Sequence, residues 1–208
     1  MHRYSSTFIS DVTYESEVFH DIPCRFSLTV AFNRPKGRHL SLILSNPFTY
    51  EEDRGDPALK QLESLAVNHL HDVSSMTIIS LLPFCGDSEE VKIHTQESMH
   101  RSTYETIIKR NQSTIKRAVA LSDGLVTAWG PPPYNVKRDP VGRLYQKEKR
   151  WLLKFLKAED KPLFVLDKNE DQPLTKGSHP REPHRGNSCV GLIPSLIISS
   201  TRVGIAEA

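Results

Sequence analysis

Three short segments carry residues able to do chemistry, and each follows a run of apolar residues. Ser45-Asn46-Pro47 leads on to Asp53 and Asp56-Pro57. Asn46 can both donate and accept hydrogen bonds, and Pro47 would stiffen the turn behind it. Ala128-Trp129-Gly130 offers an indole and a glycine that could wall a pocket for a flat ring. Residues 175–185 hold Lys176, His179, Arg181, His184 and Arg185 in a loop containing Gly177, Pro180 and Pro183. A histidine there could exchange a proton near neutral pH or steady a developing anion, and the three cations could hold phosphates. Each segment also has a plainer reading. Asn46-Pro47 is a common turn starter, Asp56 a helix cap, Trp129 a core filler and the 175–185 loop a solvated basic surface.

The elements that must position these residues can be read from periodicity. Residues 25–32 alternate polar and apolar, as a strand with one wet face does, and 39–44 are more continuously apolar. With Pro35 and Gly37 between them, the pair predicts a hairpin whose first strand is an edge. Residues 76–82, 124–129 and 162–166 read as further core strands. Leu59, Leu62, Leu65, Ala66 and Leu70 predict a helix over 57–70. A second helix, capped by Asn111 or Ser113, would run to about Leu121, and a third spans 143–157. Residues 85–105 look like an irregular excursion or lid.

Strands alternating with helices imply an α/β fold: a three-layer sandwich on a short, mainly parallel four-stranded sheet, with an N-terminal antiparallel edge hairpin. The expected organisation is a lead-in over 1–21, one α/β domain over 22–186, and a C-terminal tail or edge strand over 187–208, with the tail favoured. In open parallel sheets ligands bind beyond the carboxyl ends of the strands, which is where all three segments fall.

Composition narrows the class. The chain has 208 residues, enough for one domain with a substantial core. Lys plus Arg number 27 against 25 Asp plus Glu, so overall charge gives no argument for nucleic acid, and a basic patch would have to be local. Cys24, Cys85 and Cys189 are far apart with no CxxC or Cys/His spacing, which argues against a disulfide framework and a zinc site. Residues 1–21 carry charges and no apolar core, unlike a signal peptide, and no apolar run reaches membrane-spanning length. A cytoplasmic protein without a metal or cofactor is expected. Neither a GxGxxG or P-loop, nor HExxH, nor a nucleophile elbow occurs.

At these residues the chain resembles the bacterial and phage family known as domain of unknown function 1643. The matching pieces are Leu42-Ile43-Leu44-Ser45-Asn46-Pro47 with Asp56-Pro57, Ile78 through Pro83, Asn111, Val126 through Gly130, and Leu163 through His179-Pro180. Together they cover roughly residues 24–184. A more distant resemblance is to the uracil-DNA glycosylase superfamily, in the order strand-Asn-Pro, apolar strand, strand-Trp-Gly, His-Pro. That resemblance implies a nucleobase-, nucleotide- or DNA-acting hydrolase in which Asn46 or Asp56 orients water and His179 stabilises the departing base. Pro47, Asp53, Trp129, Gly130, Lys176, Arg181 and His184 would contact substrate. Gly177-Ser178-His179-Pro180 is shorter than the family's late motif, and His184 follows Pro183 nearby, so His179 and His184 compete for the role. The alternative is a non-catalytic nucleotide-binding or phage–host interaction module.

Overall fold

The middle of a sheet goes to strands that are apolar on both faces, and residues 40–44 are buried without exception. In the computed structural model, which describes residues 7–47, 57–86, 90–91, 101–132, 139–168, 172–175, 179–183, 188–199 and 202–206, they belong to β3 (Arg38–Leu44). The other strands are β1 (Ile9–Phe19), β2 (Ile22–Phe32), β4 (Val73–Ser80), β5 (Gly124–Thr127), β6 (Leu163–Asp167), β7 (Gly191–Ser199) and β8 (Arg202–Ile205). All eight form one sheet in the order β1-β2-β4-β3-β5-β6-β7-β8. β4, β3, β5 and β6 run parallel, and antiparallel strands continue the sheet on both sides.

The expected four-stranded sheet is therefore corrected to an eight-stranded mixed one. The expected hairpin between residues 25–32 and 39–44 does not form, because β4 lies between them. Ile78 faces Leu28 of β2 on one side and Leu42 of β3 on the other. The N-terminal hairpin is instead β1 with β2. It is closed by His20 and Asp21, both at positive φ (47° and 66°), the backbone that a two-residue hairpin turn needs. Residues 191–199 and 202–205, where a tail was favoured, are β7 and β8.

Three helices are present among the described residues: α1 (Pro57–Asn68), α2 (Arg101–Leu121) and α3 (Pro140–Ala158). α2 starts ten residues before the expected cap at Asn111, which lies inside the helix. Leu62, Leu65 and Ala66 of α1 pack with Leu40, Leu42 and Leu44 on one face of the sheet. Ile107, Ile115 and Val119 of α2 and Leu152, Leu153 and Leu156 of α3 pack with Ile43, Ile79 and Leu125 on the other. The result is three layers. β2 serves both cores with even-numbered residues, Cys24 and Phe26 on the α2–α3 side and Leu28, Val30 and Phe32 on the α1 side. A bulge at Phe26, where Glu15 faces Ser27 but Ser16 faces Arg25, supplies the extra residue that reverses the parity.

Candidate functional site

The parallel strands β4, β3, β5 and β6 deliver the turns after them to one rim. Backbone bonds from Leu81 N to the Leu44 carbonyl and from Leu82 N to the Ser45 carbonyl tie the β4 turn to the β3 turn. Asn46 reinforces that junction, its Nδ2 donating to the Gly86 carbonyl at 3.0 Å and to the Pro47 carbonyl at 3.2 Å. Gly86 has φ +115, a conformation that glycine adopts without strain. Ser45 Oγ lies 3.2 Å from Asn46 Oδ1 and 3.3 Å from Glu182 Oε1, so the segment after β6 reaches the turn after β3. Gly130 N donates to the Pro180 carbonyl at 2.8 Å, which brings His179 to the same edge.

Two buried lysines hold this corner. Lys168 follows β6, and its Nζ donates to the carbonyls of Glu182 and Pro183, each at 2.9 Å. Lys149 of α3 places Nζ 3.1 Å from His179 Nδ1 and 6.0 Å from the centroid of the Trp129 ring. Burial pushes the Lys149 ammonium down to about 8. His179 is pushed down to about 4, by burial first and by the charge of Lys149 second. Between those values Lys149 is an ammonium with only donors to offer, so Nδ1 of a neutral His179 accepts and the ring proton sits on Nε2. The pair is thus a neutral N–H donor with its tautomer fixed by a cation.

Of the expected site residues, Asn46, Pro47, Trp129, Gly130, His179 and Arg181 are described, and Asn46, Pro47, Gly130 and His179 gather at this rim. Trp129 is fully buried in the α2–α3 core, beneath the rim rather than walling an open pocket. Arg181 directs its Nε to the Gln172 carbonyl. Asp53, Asp56, Lys176 and His184 lie outside the described residues. Among the described residues no group of three or more His, Cys, Asp or Glu could hold a metal ion, and no helix is long and apolar enough to cross a membrane.

Sequence reasoning passed over Ser45, Lys149, Lys168 and Glu182. In the sequence nothing sets Lys149 apart from the five other Lys or Arg residues of 143–157, and Glu182 stands in an otherwise basic loop. The one available signal was Glu182-Pro183 itself, an acid between cations in the segment where the fold argument expects a site. Asn111 was quoted only as a cap or a matching residue. Its Nδ2 in fact donates to the carbonyls of Ser80 (3.0 Å) and Leu81 (3.1 Å), pinning the end of β4 to α2. Asn111→Leu leaves both carbonyls buried without that donor, and unfolding in urea should show a loss of about 2–4 kcal/mol with the denaturant slope unchanged.

Residues 25–183 match the profile of a family described as Protein of unknown function (DUF1643). No curated protein and no solved structure matches the chain.

Proposed function

The chain belongs to the DUF1643 family, whose description assigns no activity, and from that premise we propose that the rim is the active site of an enzyme that hydrolyses the N-glycosidic bond of a nucleotide or of DNA. One observation carries the reading: Lys149 on His179 Nδ1, at the edge that also holds Asn46 and Glu182.

As the bond between the sugar C1′ and the base nitrogen breaks, its electron pair leaves with the base. The His179 Nε2–H donates to that developing anion, and the nearby Lys149 charge adds to its stabilisation. The Glu182 carboxylate offsets the positive charge on the sugar. A water oriented by Asn46 and Glu182 attacks C1′ and gives its proton to the carboxylate, which passes it through solvent to the departed base anion, leaving free base and a C1′ hydroxyl. Asp56 is a second candidate for orienting water, and Lys176, Arg181 and His184 for contacting phosphate. Partners are therefore nucleotide or DNA, with no cofactor in the scheme.

The test is release of free base, followed by chromatography and mass spectrometry, from uracil-containing or base-modified oligonucleotides and from nucleotides. Release by the purified protein is expected. Binding without release would favour the alternative, a non-catalytic nucleotide-binding or phage–host interaction module. If the protein neither binds nor cleaves any of these substrates, the reading is wrong.

A further inference from the structure

Beneath the rim, on the α2–α3 face, three of the buried polar atoms that lack a hydrogen-bond partner among the described residues come from three different segments. They are Asn111 Oδ1 (residue 1% exposed), Trp129 Nε1 (0%) and Glu148 Oε1 (2%). An unmade hydrogen bond of this kind costs about 1–3 kcal/mol, so three on segments that enclose one core require a reason.

Side-chain contacts between α2, α3 and the strand ends define their surroundings. Glu148 is reached from α2, where Gln112 Nε2 donates to its Oε2 at 2.7 Å, and Gln112 adjoins Asn111. Asn111 is fixed to the end of β4. Trp129 follows β5 at the same end of the sheet, and Lys149, next to Glu148 in α3, stands over its ring. The amide orientation of Asn111 is settled by chemistry, because Nδ2 already faces two carbonyls and only Oδ1 is left to accept. Burial raises the Glu148 carboxyl above its usual range, opposed by the hydrogen bond from Gln112 and the charge of Lys147.

We infer that Asn111, Trp129 and Glu148 form a recognition subsite under the rim that takes the hydrogen-bonding edge of a planar nitrogen heterocycle. The set comprises the Asn111 carbonyl oxygen as acceptor, the indole N–H as donor and one oxygen of the Glu148 carboxyl. Its complement is a ring presenting an N–H beside a carbonyl or ring nitrogen, as nucleobases do. The inference rests on the proposed active site for its ligand class, and deepens it by placing the base on the α2–α3 side, below Lys149 and His179. Lys149 stands between the His179 ring and the indole, 3.1 Å from the first and 6.0 Å from the centroid of the second. A bound base then meets the polar atoms from below and the His179–Lys149 pair from the rim.

The test uses the ¹⁵N-labelled full chain and reads the indole N–H resonances of its two tryptophans during titration with free uracil, hypoxanthine or adenine. The Trp129 resonance should move in a saturable way with at least one base while that of Trp151, which stacks on Phe155 in α3, stays in place. Glu148→Met and Trp129→Phe should each weaken binding about tenfold, read for the second variant on the ligand signals. If Trp129 responds to no base, or if both folded variants bind as well as the original chain, the subsite holds buried water only and the inference falls. Base release with a silent Trp129 would sink this subsite and spare the active site. A responding Trp129 without release would do the reverse.

Discussion

Replacing His179 by alanine is expected to slow base release by about 10²–10³-fold, the usual cost of removing one preorganised donor from a developing anion. Substrate binding should change much less, because the donor is needed most when the charge forms. The accompanying pH profile is more diagnostic than the loss itself. The working pair is neutral His179 with charged Lys149. His179 gains a proton only as the pH falls through about 4, and Lys149 loses its own as the pH rises through about 8. Activity should therefore be flat between these values and fall on either side, the two limbs belonging to the pair rather than to either residue alone. Lys149→Met should abolish the upper limb. It should also move the lower limb upward, since the Lys149 charge is one of the two effects depressing His179, while burial, the larger, persists. A Lys149→Met enzyme that kept both limbs in place would show that the two side chains do not work as a pair.

The pair was half visible in the sequence, and the reason is physical. His179 stood out because a histidine in a proline-stiffened loop after a strand is unusual in type and place. Lys149 did not, because six Lys or Arg between 143 and 157 resemble the wet face of a helix. Which cation is buried depends on what packs against α3, and that is tertiary information. The same division runs through the fold. β3, β4 and α3 declared themselves by apolar runs and helical spacing, and the turns after the strands by Pro47, Pro83 and Gly130. β1 is exposed or half-exposed along nearly all its length and so carries little hydrophobic period. β7 is broken in composition by Gly191 and Pro194, which usually argue against a strand. The insertion of β4 between β2 and β3 could not be read locally. Two strands joined by a short turn most often pair, and only the burial of both faces of β3 and β4 favours parting them.

The largest structural effect is expected from the smallest change at the rim, Gly130→Ala. Gly130 has φ +66, where alanine is strained by about 1–2 kcal/mol. A Cβ there would also lie 2.5 Å from both Cγ and Cδ of Glu182 and 2.9 Å from its Oε1. Glu182 cannot easily retreat, because its carbonyl receives the buried Lys168 ammonium and its carboxylate the Ser45 hydroxyl. Strain and overlap together should cost about 2–5 kcal/mol, read as a fall in Tm of roughly 5–15 °C for a chain this long. A double-mutant cycle separates the two causes. In a Glu182→Ala background the overlap is gone and only the backbone strain is left, so adding Gly130→Ala should cost about 1–2 kcal/mol. Equal costs in both backgrounds would mean that the carboxylate does not press on Gly130, and the rim as described, with Glu182 wedged between the turns after β3 and β5, would have to be redrawn. A smaller cost in the Glu182→Ala background would instead establish that the glycine is there to admit the carboxylate. The turn after β5 would then owe its sequence to the site it helps to build rather than to the strand it ends.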